Sequence, residues 1–225
     1  MKLLIASSKS WFNGQKKSNK FKELNIKNIS KKNELNLEFL KSLNPRYIFF
    51  PHWNWKVDDL ILKNYECIAF HTSPLPYGRG GSPIQNLILN GFKEAPLCAI
   101  KMTNQIDAGP IYKKEIISLK GNLDQIFERI AIATEKMILE ICKNNLTPKE
   151  QEGDPFYFQR LSEKDNILKL DNPIERIYDS IRMLDGKEYP KAFIELGDYV
   201  IEFSNAEIKD NQIKATAKFI KKIIK

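Results

Sequence analysis

Residues 67–86, CIAFHTSPLPYGRGGSPIQN, decide how the rest of the chain is read. An apolar run ends on His71 and opens into a turn-rich segment with prolines at 74, 76 and 83 and glycines at 78, 80 and 81. A strand that stops on a histidine puts a titratable group at the rim of a sheet, and the Gly/Pro loop beside it offers backbone amides to a ligand. From Pro83 onward, Ile84, Leu87, Ile88 and Leu89 suit a helix, with Ser82 as its expected N-cap and Asn90-Gly91 as its stop. GRGG thus points at a helix entrance, where amides favour a phosphate, a carboxylate or a developing oxyanion.

On either side the chain alternates strand and helix patterns. KLLIA at 2–6 and YIFF at 47–50 read as buried parallel strands, and Leu35 to Leu43 as a helix ended by Asn44-Pro45. Asp58 to Leu62 supports a short helix. LCAIKM at 97–102 and Pro110 to Leu119 read as strands on either side of the turn TNQIDAG, and a long helix covers Leu123 to Cys142. The pattern predicts an α/β, Rossmann-like domain with a mostly parallel sheet over residues 1–148. NNLTPKEQEGDP at 144–155 reads as a linker into a small α+β domain at 149–225, with a helix from about Asp171 to Leu184 followed by KAFIEL, DYVIEF, AEIKD and QIKATAKFI as strands. The tail KFIKKIIK reads as a frayed terminus or a last strand.

Composition removes several classes. With 225 residues, 42% of them hydrophobic, the chain has material for a core, and it holds no apolar run of the roughly 18–20 residues that a membrane span needs. The opening turns polar too soon for a secretory signal, so a cytoplasmic address is expected. Three scattered cysteines without CxxC, and two histidines without HExxH or HxH, predict no metal. The net charge of +8 suits a nucleic acid or a phosphorylated substrate, yet the lysines form no aromatic-interleaved stripe, so nucleic acid is not the favoured partner. No GxGxxG follows the first strand, no P-loop is present, and no serine or cysteine sits in a nucleophile elbow. Group transfer with His71 handling a proton remains. Trp53 and Trp55 leave the second apolar strand at its carboxyl end, where they would border a flat heterocycle or simply pack into the core.

FHTSPLPYGRGGSPIQN at 70–86 resembles the His-x-Ser-x-Leu-Pro-x-x-Arg-Gly-x-x-Pro stretch of the folate-dependent formyltransferases, and IDAG at 106–109 resembles their Leu-Asp-x-Gly loop. The resemblance implies the formyltransferase fold and 10-formyltetrahydrofolate as formyl donor. It makes His71 and Asp107 the catalytic pair, sets Trp53, Trp55, Leu75, Ile106 and Asp107 around the donor, and gives Thr72, Ser73, Arg79, Gly80, Gly81 and Ser82 to the acceptor. One position departs from the pattern: the asparagine expected two residues before the histidine is Ala69, so Asn86, Asn104 or a backbone amide is expected to stabilise the oxyanion in its place. IRMLDGKEYPKAF at 181–193 is also similar to the sugar N-formyltransferases of pseudaminic-acid biosynthesis. The implied acceptor is then the amino group of a nucleotide-linked or sialic-acid-like amino sugar. A methionyl-tRNA-type formyltransferase, or a folate- or sugar-binding module impaired by Ala69, is the alternative.

Overall fold

The computed structural model describes residues 1–222. In chain order the elements are β1 (Lys2–Ser7), α1 (Ser10–Asn13), α2 (Asn19–Lys22), β2 (Asn25–Ile29), α3 (Leu37–Leu43), β3 (Tyr47–His52), α4 (Asp59–Asn64) and β4 (Cys67–Thr72). There follow β5 (Tyr77–Gly80), α5 (Pro83–Leu89), β6 (Glu94–Lys101), β7 (Ile111–Ser118), α6 (Leu123–Asn144) and β8 (Phe156–Phe158). The last are α7 (Ile174–Arg182), β9 (Ala192–Leu196), β10 (Tyr199–Lys209) and β11 (Gln212–Lys221).

The central sheet has the order β2-β1-β3-β4-β6-β7. Strands β1 to β4 are parallel, β6 runs against β4, and β7 runs against β6, so β6 alone is reversed. Both faces are covered, which is why LLIA at 3–6 and YIFF at 47–50 are buried at every position rather than alternating. On one face Leu3, Ile5, Phe49 and Ile68 pack with α5 and α6; on the other Leu4, Ile48, Phe50 and Cys67 pack with α3 and α4. Helix α6 is entered through a capping box, in which Asn122 accepts from the Gln125 amide and Gln125 accepts from the Asn122 amide.

Strand β2 lies in a stretch, residues 9–33, that is rich in Lys, Asn and Ser. NIKNI is a sheet edge whose outer residues face water, so it lacks the apolar signature by which the other strands are read. The expected linker also differs. Lys149 exchanges both backbone hydrogen bonds with Ile111 at 2.7 and 2.9 Å, and β8 pairs in parallel with β5. Residues 149–158 are therefore strapped onto the first unit.

Beyond them, α7 lies on the three-stranded sheet β11-β10-β9. The main core continues through Ile181, Met183, Leu184 and Ala192, and buried Arg182 donates to the carbonyls of Leu119 and Gly121 while pairing with Asp179 at 2.6 Å. Of the lysine-rich tail, residues to Lys221 belong to β11, and 223–225 lie outside the described residues. No helix among the described residues is long and apolar enough to cross a membrane.

Because Ile138 of α6 is fully buried in the main core, Ile138→Ala is expected to cost about 2–5 kcal/mol. Urea unfolding should show a lower midpoint at unchanged slope. A loss under about 0.5 kcal/mol would contradict this packing.

Candidate active site

Strand β4 alternates its side chains, so Cys67, Ala69 and His71 project to one face. His71, the last but one residue of the strand, is 7% exposed. Its Nε2 donates to the Gly78 carbonyl at 2.7 Å, and its Nδ1 lies 3.4 Å from Asp107 Oδ2. Both ring nitrogens thus face acceptors. A neutral imidazole has one N–H and satisfies one of them, whereas an imidazolium satisfies both.

Asp107 arrives by a route the sequence did not suggest. His71 stands at the rim as the sequence suggests, but the reversal of β6 brings its last residue, Lys101, opposite Ile68 near the start of β4. The 102–110 connection leaves at that level, with the Met102 amide on the Cys67 carbonyl, and folds back along the sheet to reach His71. Its turn holds Asp107 at φ 51. Gly109 closes it: a Cβ there would sit 1.8 Å from the Lys101 carbonyl oxygen, so only glycine fits.

The anion expected at the GRGG amides is the protein's own. The Gly80 amide donates to Asp107 Oδ2 at 2.9 Å, which ties the glycine loop and the aspartate turn to one carboxylate oxygen. Ser82 does not cap α5. It adopts φ 48 and its Oγ accepts from the Leu161 amide instead, because the segment after β8 packs here and needs an acceptor. Gly81 lies against the backbone of Arg160, where a Cβ would approach to 2.6 Å.

Asn86 is also occupied. Its Nδ2 donates to the carbonyls of Gly81, Ser82 and Gln159, so the amide expected as oxyanion donor instead knits the start of α5 to the segment after β8. Thr72 and Ser73 are buried, and Ser73 Oγ closes the loop by donating to the Tyr77 carbonyl at 2.7 Å. Arg79, read as an acceptor contact, donates through Nε and Nη2 to Gln151 Oε1 at 3.1 and 2.8 Å and through Nη1 to the Tyr157 hydroxyl. Gln151 carries no signal in the sequence, because it lies in a polar, proline-flanked stretch that reads as a linker.

The residues assigned to the donor form a looser group. Leu75 is buried with Cys98, Ile100 and Ile111, with Ala69 packed against them. Ile106, next to Asp107, is 68% exposed. Trp53 and Trp55 meet edge-on at 4.8 Å, and Trp53 leans on Phe50. Asn104, in the Asp107 turn, is exposed. No cluster of three potential metal ligands occurs among the described residues. Burial pushes the Cys67 thiol up to about 12 and the Cys98 thiol to about 11, so neither is a nucleophile at neutral pH.

Residues 163–220 match the family model of the methionyl-tRNA formyltransferase C-terminal domain. A methionyl-tRNA formyltransferase from Campylobacter jejuni subsp. doylei is 31% identical over 193 residues, covering 84% of this chain and 61% of that protein. The solved methionyl-tRNA formyltransferase from Clostridium thermocellum is 41% identical, with a TM-score of 0.93 over 98% of this chain and 99% of that one. A sugar N-formyltransferase from Shewanella sp FDAARGOS_354 shares the fold, with a TM-score of 0.63 at 16% identity over 100% of this chain and 99% of that one. The chain belongs to the formyltransferase family. It spans about three fifths of the length of the curated methionyl-tRNA formyltransferases it matches.

The second histidine does different work. His52 ends β3 near Trp11, its carbonyl accepting from the Ser8 amide, and Lys9, Glu188 and Arg160 act on its ring. Burial, helped by Lys9 and Arg160 and opposed by Glu188, holds its imidazole down at about 4. An unfolded histidine titrates near 6.5, so the unfolded chain binds the extra proton first and stability falls as pH drops from about 6.5 toward 4. Between pH 7 and 4.5 the wild type should lose about 2–3 kcal/mol more than His52→Gln in urea unfolding. Equal losses would contradict this environment.

Proposed function

We propose that the protein transfers a formyl group from 10-formyltetrahydrofolate to a primary amine, and that the amine is borne by methionyl-tRNA. The observation that carries the transfer is the His71–Asp107 pair pinned under the Gly80 amide. The tRNA acceptor draws its support from the relatives named above and from the match of residues 163–220, and the charge of +8 suits it.

The surroundings fit a folate. Exposed Ile106 and the Trp53–Trp55 edge are apolar and aromatic surfaces suited to a flat heterocycle. When bound, the donor supplies an electrophilic formyl carbon carried on nitrogen. The chain's own residues handle the proton. Nε2 of His71 is held at 2.7 Å by Gly78, whereas the 3.4 Å contact of Nδ1 has room to open, so Nδ1 receives the proton that the attacking amine gives up and passes it to the leaving nitrogen as the old formyl C–N bond breaks and tetrahydrofolate departs. Asp107 balances the imidazolium charge. With alanine at position 69 and the Asn86 amide committed, Asn104 in the Asp107 turn is the side-chain donor that stabilises the developing oxyanion.

Incubation with 10-formyltetrahydrofolate and methionyl-tRNA should release tetrahydrofolate. His71→Ala and Asp107→Asn should each lower kcat/KM by about 10²–10⁴, and Asn104→Ala should lower kcat by about 10². Unchanged rates in the His71 and Asp107 variants would refute the transfer assignment.

A second reading, an amino sugar of the pseudaminic-acid type, is favoured by one observation. The 181–193 segment similar to those enzymes includes Lys187, Glu188 and Tyr189, which border a cavity of about 200 Å³ with Ser10 and Trp11 just past β1. Tetrahydrofolate release with an amino sugar, and none with methionyl-tRNA, would select this reading.

A further inference from the structure

We propose that Gln151 is a positioning residue that sets the Asp107 carboxylate against His71. The proposal rests on the formyl-transfer reading and adds to it a residue from the strap that follows α6.

The side-chain amide of Gln151 is fully used. Nε2 donates to the carbonyls of Asp107 and Gly109, each at 2.8 Å, and Oε1 accepts from Nε and Nη2 of Arg79. Only this orientation works, since a flipped amide would set oxygen against two carbonyls and NH2 against a guanidinium. Gln151 therefore links the two motif loops directly: Arg79 is the neighbour of Gly80, and Asp107 and Gly109 frame the aspartate turn.

The strap is anchored on both sides of it. Lys149 is bonded to Ile111, two residues past Gly109, and Phe156 to Phe158 pair with Tyr77 to Gly80. Gln151 lies between these anchors, where it holds the carbonyls of Asp107 and Gly109, one at the functional residue itself and one at the close of its turn. The Asp107 backbone is left-handed, and its Oδ2 is shared between the Gly80 amide at 2.9 Å and His71 Nδ1 at 3.4 Å. A shift of the turn by about 1 Å breaks that sharing, and displacements of this size cost about 10²-fold in rate. A residue that merely fastened the surface would leave the His71 ring undisturbed.

Two variants of the full chain test this. Gln151→Ala removes all four hydrogen bonds. Gln151→Glu keeps the size and the Arg79 pairing but turns an acceptor toward the Asp107 and Gly109 carbonyls, and it serves if the alanine variant does not fold. Each is expected to lower kcat by about 10- to 100-fold, to alter the pH profile of kcat, and to move the His71 ring signals in an NMR spectrum while those of His52 stay in place. With two histidines in the chain the signals are readily assigned. Combining Gln151→Ala with Asp107→Asn should cost no more than Asp107→Asn alone.

A folded variant with kcat within twofold of wild type and unmoved His71 signals would overturn the proposal. Should the wild type itself transfer no formyl group to any amine, the proposed function fails. The His71 signals then decide the positioning claim by themselves, moved in its favour and unmoved against it.

Discussion

One carboxylate oxygen, Asp107 Oδ2, is shared by the Gly80 amide and the His71 ring, and the rest of the site follows from keeping it there. The two loops that meet at this oxygen belong to different parts of the sheet. A charge-assisted bond from a backbone amide is among the stronger interactions available to a carboxylate, and here it fixes the oxygen that faces His71. The glycines belong to the same arrangement: Gly78 and Gly80 take positive φ values, and Gly109 passes the Lys101 carbonyl too closely for any side chain.

The topology explains how such loops meet. Parallel strands β1, β3 and β4 carry Ser7, His52 and His71 to a common rim, which is where open α/β sheets gather their ligands. The reversed β6 then sends its outgoing chain back over the sheet, and the strap at 149–158 crosses from Ile111 to β5. Residues from three separate stretches are thereby brought to one histidine, with Gln151 at the junction.

Much of this was legible in the amino-acid order. Apolar runs bounded by turn residues gave β1, β3, β4 and β6, and the 3.6-residue spacing of Leu123 to Cys142 gave α6, because both depend on burial that local pattern records. The pairing of His71 with Asp107 was legible through two motifs. What could not be read depends on partners distant in sequence. Strand β2 is a polar edge. Ser82 and Asn86 look like a cap and an oxyanion donor until the segment that follows β8 supplies the Leu161 amide and the Gln159 carbonyl to occupy them. Gln151 looks like one polar residue in a linker until its four partners are seen. The acceptor is a similar case: similarity at 181–193 pointed to a sugar, while whole-chain similarity points to methionyl-tRNA formyltransferases.

The central claim is that His71 and Asp107 work as one unit. A double-mutant cycle on kcat/KM, with His71→Ala, Asp107→Asn and the two combined, measures it directly. Groups acting as a unit give a double variant little slower than the slower single one, and that is the result expected here. A double variant whose loss equals the product of the two single losses would show the residues acting independently and would contradict the account.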